Sequence, residues 1–312
     1  MDVSLGIAQP NDRKEVLNAE APRRGEKQLL PKAYDLTSSA PAANLITHRS
    51  FQSSPRLRAS ALNSSPFKPA IISLRLRRSI SIIIPAFNEE KRLPATLRTV
   101  RAWLDATSWE FAEIVVVDDG SRDSTVELAR DAGARVLLNP GNRGKGYTVR
   151  HGMLDARGEW ALFTDADLSS PIEELDKLTA AVDREQARAA VGSRALDRSL
   201  IGVRQPLFRE YVGRFFNLVI RAVTGLPFHD TQCGFKLFET AAAREIFKRQ
   251  RLDGFGFDVE VLFIARRLGY RAVEVPVRWN DAAGTTVGMW RGMAAFFDPL
   301  KVRWNSILGR YR

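Results

Sequence analysis

Ile80-Ser81-Ile82-Ile83-Ile84-Pro85-Ala86-Phe87-Asn88-Glu89 decides how the rest of this 312-residue chain is read. Its apolar run is short, mostly β-branched and stopped by Pro85. A strand covered on both faces has that composition, and parallel sheets are covered on both faces. Downstream, the periodicity predicts a helix over Glu89–Ala106, with Leu93, Leu97, Val100 and Leu104 on one side. Strands are expected at Glu113–Val117, Ala134–Leu138, Trp160–Thr164 and Ala189–Gly192. Helices are expected at Ser124–Asp131, opened by a Ser124/Glu127 capping box, and at Gly146–Ala156 and Ile172–Val182. Later come helices over Phe208–Val223 and Asp258–Arg267, and a strand Val273–Trp279 interrupted by Pro276. This alternation predicts an α/β fold with a mainly parallel sheet, which binds ligands beyond the carboxyl ends of its strands.

Upstream, residues 1–78 are rich in Ser, Pro, Ala and Arg and lack a sustained apolar period. A disordered basic tail is expected there, a folded domain over 79–288, and two basic amphipathic helices over 289–312, divided at Pro299. Charge follows the same division. Residues 1–79 carry 13 basic and 6 acidic side chains, 282–312 carry 5 and 1, and 80–281 carry 29 of each. A nucleic-acid enzyme would carry its basic face on the folded body, so no nucleic-acid partner is expected. Basic ends around a neutral body suit an anionic membrane surface. The aromatic and basic residues mixed between Met289 and Arg312 suit an interfacial helix, or an amphipathic helix closing the fold. No stretch of 18 apolar residues occurs, so no spanning helix is expected. Cys233 is the single cysteine and is expected in the core, which excludes a disulfide framework and fits a reducing compartment. Three histidines without ligand spacing leave only a hard cation held by oxygen.

Polar clusters follow three of the strands: Asn88-Glu89, Asp118-Asp119 and Asp165-Ala166-Asp167. Each alone could be a helix cap. Together they line one edge of the sheet. Asp165 and Asp167, at i and i+2 of an extended segment, are expected to point to one side and repel each other unless Mg²⁺ or Mn²⁺ lies between them. Such an ion takes its remaining ligands from phosphate and water, so a diphosphate leaving group fits. Asn139-Pro140-Gly141-Asn142-Arg143-Gly144-Lys145-Gly146 is either a flexible turn or a loop whose N–H groups approach a phosphate. It is not a P-loop, because Gly146 follows Lys145 where Ser or Thr is needed. Arg194, Arg209 and Arg214 are candidate phosphate ligands, or solvated arginines.

The blocks SIIIPAFNEE (81–90), IVVVDDGSRDST (114–125), NRGKGYTVRHGM (142–153), FTDADLSSP (163–171) and GSR (192–194) resemble family 2 glycosyltransferases of the GT-A fold. DTQCGFKLF (230–238), FGFDVEVLFIA (255–265) and VPVRW (275–279) resemble the dolichyl-phosphate β-glucosyltransferase branch, kin of dolichyl-phosphate mannosyltransferases. The resemblance implies a Rossmann-like three-layer α/β/α domain with a mainly parallel mixed sheet. It implies that Pro85, Ala86, Phe87 and Glu89 contact base and ribose, with Val117, Asp118 and Asp119 completing the pocket and Asp119 reading the uracil edge. Asp165 and Asp167 would face the diphosphate, Lys145 and Ala166 would also bind the nucleotide-sugar, and Asp167, with Asp165 and Ser169, would hold the metal. Arg194, Arg209 and Arg214 would face donor or acceptor phosphate, and Asp230, Gln232 and Lys236 belong to the acceptor-side block. Relatives tend to carry a basic residue where this chain has Gly284-Thr285-Thr286-Val287, and many carry membrane helices.

The expected activity is inverting transfer of a sugar, glucose from UDP-glucose, to a polyprenyl or dolichyl phosphate. It would occur peripherally on the cytoplasmic face of a membrane. GDP-mannose as donor, a glycan hydroxyl as acceptor, and a non-enzymatic membrane or nucleic-acid adaptor are the alternatives.

Overall fold

The computed structural model describes residues 77–202, 207–280 and 297–312. Residues 1–76 of the expected 1–78 tail and the segment 281–296, with Gly284–Val287, lie outside the described residues, while Arg77 and Arg78 already belong to the first strand. Seven strands form one sheet: β1 (Arg77–Ala86), β2 (Trp109–Asp118), β3 (Arg135–Leu138), β4 (Trp160–Thr164), β5 (Ala189–Ser193), β6 (Phe235–Glu239) and β7 (Ala272–Pro276). Their order is β3-β2-β1-β4-β6-β5-β7. All neighbours run parallel except β6, which is antiparallel to β4 and to β5. The helices are α1 (Leu93–Asp105), α2 (Thr125–Asp131), α3 (Lys145–Asp155), α4 (Leu175–Glu185), α5 (Leu207–Thr224), α6 (Thr240–Arg249), α7 (Phe257–Arg267) and α8 (Asp298–Ile307).

The run Ile80–Ile84 is buried on both faces. Ile82 and Ile84 join Val116, Leu162 and the apolar stripes of α1 and α4. Ile83 joins Val115, Val117 and Phe163 against Val149, Met153, Phe247 and Phe257 on the other face. The period of two along a strand produces this split and gives the three-layer α/β/α arrangement. Gly152 lets α3 lie close: a Cβ there would stand 2.3 Å from Ile83 Cγ2.

Three expectations need correction. The first helix starts at Leu93 rather than Glu89, because residues 89–92 make a turn onto the Glu89 carbonyl and Pro94 sets the first helical turn. The Ser124/Glu127 capping box does not form. Glu90 instead accepts from the Ser124 N–H at 3.2 Å, and Asp123 from the Thr125 N–H at 3.1 Å. Pro299 stands in the first turn of α8, and the helix expected on its N-terminal side lies outside the described residues. Finally, β6 and α6 were not anticipated. Lys236 interrupts the apolar pattern of Phe235–Phe238, yet it is fully buried, donating to the Cys233 carbonyl at 2.6 Å and paired with Asp258.

Candidate active site

A cleft of 570 Å³ opens at the carboxyl ends of β1, β2 and β4, and the three polar clusters meet there. Pro85, Ala86, Phe87 and Glu89 follow β1, Asp119 follows β2, and Asp165, Ala166 and Asp167 follow β4; Lys145, the first residue of α3, lines the cleft as well. Strand order explains the convergence. β1 lies between β2 and β4 in parallel register, so the segments leaving the three strands emerge side by side. Asn88 and Leu168, each next in sequence to a lining residue, hold left-handed backbone with φ of 55° and 47°. Non-glycine residues in that conformation concentrate at functional sites.

The Asp165–Asp167 segment is a turn, not an extended stretch: the Leu168 N–H donates to the Asp165 carbonyl at 3.2 Å. Strand alternation therefore does not set these two side chains, although both carboxylates line the cleft. Nor does Asp165 lack a basic neighbour, since Lys145 Nζ lies 2.6 Å from its Oδ1. Burial works against the Lys145 ammonium, but Asp165, Asp258 and Asp167 together hold its pKa above the ordinary lysine value. Asp167 Oδ1 accepts from the Ser169 N–H at 3.0 Å, so Ser169 orients Asp167 through its backbone. Gly234 stands directly behind Asp165, where a Cβ would lie 2.0 Å from Oδ2.

The Gly-rich loop is committed to Asp119. Its Arg143 and Gly144 N–H groups donate to that carboxylate at 2.8 and 2.9 Å, and Asn139 Nδ2 donates at 2.9 Å. Those two N–H groups are therefore not a phosphate cradle. Asp118 is a turn-former, accepting from the Gly120 and Ser121 N–H groups. Val117 lies in the core beneath the cleft and does not line it. Glu89 receives both Arg92 Nε and Arg92 Nη2, at 2.7 and 2.6 Å, which brings Arg92 to the cleft.

Arg194 is also committed elsewhere. It grips buried Asp230 through two nitrogens at 2.7 and 2.9 Å, and it lies over the Trp279 ring. Burial alone would raise the Asp230 carboxyl, but the Arg194 guanidinium beside it holds it below the usual carboxylate range. The Gln232 N–H donates to Asp230 at 3.1 Å. Arg194, Asp230, Gln232 and Lys236 do not line the cleft. Arg209 and Arg214 lie on α5, and their side chains lie outside the described residues. Burial pushes the Cys233 thiol up to about 11, which fits the expected core role. Sequence reasoning missed Arg92, Arg251 and Lys301 at the cleft. Arg92 stands three residues after Glu89, a spacing that could have signalled it; Arg251 comes from the loop between α6 and α7 and Lys301 from α8, both far along the chain, and neither carries a local pattern.

The family model described as glycosyl transferase family 2 matches residues 81–247. The chain belongs to that family. A Drosophila melanogaster dolichyl-phosphate beta-glucosyltransferase is 40% identical to this family 2 glycosyltransferase over 75% of this chain and 77% of that protein. The Mus musculus protein of the same name is 33% identical over 80% of this chain and 83% of its own length. Among solved structures, glucosyl-3-phosphoglycerate synthase from Mycobacterium tuberculosis, in complex with Mn²⁺, uridine diphosphate and glucosyl-3-phosphoglycerate, superposes with a TM-score of 0.53. It shares 22% identity, over 75% of this chain and 80% of that chain. That likeness bears out the GT-A fold. Among the described residues no helix is long and apolar enough to cross a membrane, and no group of three or more His, Cys, Asp or Glu side chains is placed to hold a metal.

Proposed function

We propose that this family 2 glycosyltransferase moves glucose from UDP-glucose to a dolichyl or polyprenyl phosphate, inverting the anomeric centre. The observation that carries the reading is the meeting of Asp119, Lys145, Asp165 and Asp167 in one cleft. The relatives named above support the choice of sugar and acceptor. Two carboxylates fit a Mg²⁺ or Mn²⁺ ion, which keeps few protein ligands and completes its shell with phosphate and water. Asp167 has one oxygen free of the Ser169 N–H, while Asp165 has Oδ1 on Lys145 and Oδ2 against Gly234 and would turn to share the ion. When bound, the cation supplies charge neutralisation at the diphosphate oxygens.

The remaining chemistry falls to the chain. An acceptor phosphate oxygen attacks the anomeric carbon, the bond from that carbon to the diphosphate oxygen breaks, and its electron pair leaves with UDP. A phosphate monoester has a second pKa of about 6, so it is already largely anionic near neutral pH and needs no general base. Lys145 and Arg92 place cationic groups beside the departing diphosphate, and catalysis rests on positioning and charge stabilisation. The basic ends and single cysteine favour peripheral work on the cytoplasmic face of an anionic membrane. The test is transfer from UDP-glucose to polyprenyl phosphate, with EDTA and then with Mg²⁺ or Mn²⁺ restored. Product that forms equally well in EDTA removes the metal. A donor panel in which GDP-mannose outperforms UDP-glucose removes the sugar assignment.

A further inference from the structure

Asp119 lines the cleft yet is only 4% exposed, and three donors already reach its carboxylate. Oδ1 accepts from Asn139 Nδ2 at 2.9 Å and from the Arg143 N–H at 2.8 Å, and Oδ2 accepts from the Gly144 N–H at 2.9 Å. A carboxylate has about four acceptor positions, so one remains, on Oδ2. A single acceptor in the wall of a cleft complements an N–H on the edge of a nucleobase such as uracil. Its aim depends on the three donors that hold the carboxylate. Two of them are backbone groups of the Gly-rich loop; the third, the Asn139 amide, can rotate about its own side-chain bonds.

That amide is held in turn by α3. Asn139 Nδ2 also donates to Thr148 Oγ1 at 3.0 Å, and the hydroxyl donates onward to the Gly144 carbonyl at 2.8 Å. Both Nδ2 protons are therefore used, one on Asp119 and one on Thr148, which fixes the end of the amide that is nitrogen. Asn139 Oδ1 then faces His151 Nδ1 at 2.8 Å. An amide oxygen only accepts, so the ring carries a proton on Nδ1 and donates it. Thr148 and His151 stand three residues apart on α3 and share a face. Tyr147, one turn before His151, meets the ring edge-on with centroids 6.5 Å apart. Asn139 is 7% exposed, so without His151 its oxygen is left buried and without a donor among the described residues.

We propose that His151, which does not line the cleft, is a positioning residue for nucleotide recognition: by holding the Asn139 amide it sets the Asp119 carboxylate and the one acceptor position that Asp119 presents to the base. The inference rests on the proposed UDP-sugar donor and extends its site to a residue outside the cleft. Once the His151 donor is removed, Asn139 rotates to satisfy its oxygen elsewhere, and Nδ2 leaves Asp119. A reversed amide is not available, because it would set Oδ1 against the carboxylate, acceptor facing acceptor. The signature is selective. Affinity for a ligand that carries the base falls, whereas affinity for a diphosphate without a base, which meets Lys145 and the cation instead, does not.

The test measures dissociation constants of the full chain for UDP and for inorganic pyrophosphate, each with Mn²⁺, by titration calorimetry. His151→Leu weakens UDP about fivefold, the worth of one neutral hydrogen bond, and moves pyrophosphate by less than about twofold. His151→Asn places an amide nitrogen near the position of Nδ1 and returns UDP to within about twofold of wild type. Thermal melts accompany each variant, and His151→Ala replaces the leucine variant if that one melts early. Unchanged UDP affinity in the variant without a donor overturns the relay. An equal loss for UDP and pyrophosphate overturns it too, because it shows general damage to the cleft, and so does a loss that His151→Asn does not restore. A wild-type chain that binds UDP no more tightly than pyrophosphate sinks the donor reading and the relay with it. Selective loss of UDP in a chain that does not glucosylate polyprenyl phosphate supports the relay and removes only the acceptor reading.

Discussion

Replacing Gly234 by Ala probes the active site through a residue that contacts no substrate. The added Cβ would lie 2.0 Å from Asp165 Oδ2, 2.5 Å from Cγ and 2.8 Å from Oδ1. Ordinary contact begins near 3.4 Å, so the carboxylate has to retreat by about 1.4 Å. Asp165 can swing, so the fold survives. Its 2.6 Å contact with Lys145 does not survive a movement of that size. A misplacement of about 1 Å in a reacting constellation can cost about 10²-fold in rate, or about 2.7 kcal/mol of barrier. The expected result is a fall in kcat of that order for transfer from UDP-glucose to polyprenyl phosphate, with a melting temperature near wild type. If the effect passes through Asp165, adding Gly234→Ala to Asp165→Ala produces little further loss. Wild-type turnover in Gly234→Ala, or full additivity in the double variant, would refute the reasoning.

Asp167→Asn is expected to lower turnover by at least about 10²-fold with an unchanged melting curve, and near-normal activity would remove Asp167 from the metal site. Arg194→Ala leaves Asp230 buried without its partner, at a cost of about 3 kcal/mol, read as a drop of roughly 6–12 °C in melting temperature. Because Arg194 holds the Asp230 carboxyl below its unfolded value, the pair stabilises above the unfolded pKa of about 4 and loses that contribution as pH falls through the lower folded pKa. The stability gap between wild type and Asp230→Asn is therefore widest near neutrality and closes below about pH 4 in a pH series of thermal melts. Lys145→Met frees Asp165 of its resident counter-charge, so Mn²⁺ affinity measured without nucleotide should rise several-fold while the KM for UDP-glucose rises about tenfold. A fall in Mn²⁺ affinity would show that Lys145 does not compete for Asp165.

Much of the fold was legible because its strands carry local signals. The expected span Trp160–Thr164 is the observed β4, and the expected helix Phe208–Val223 differs from α5 by one residue at each end. β6 was hidden for a definite reason. Lys236 reads as a polar break in a linear scan, and only its pairing with Asp258, 22 residues away, makes it a core residue. The site was legible to the extent that its residues sit directly after strands. Glu89, Asp119, Asp165 and Asp167 do so; Arg251 and Lys301 do not.

By itself the sequence determined the α/β class, the neutral body with basic ends, and which carboxylates gather at the sheet's carboxyl edge. Apolar period, charge count and position after a strand are properties of residues close together along the chain. Only the tertiary structure decided which charges remain free to act. It commits Arg194 to Asp230, the Arg143 and Gly144 N–H groups to Asp119, and Lys236 to Asp258, and it brings Arg92, Arg251 and Lys301 to the cleft from separate parts of the chain. Whether a charge is consumed or available depends on partners brought near by strand order and helix packing, and no local pattern records that distance.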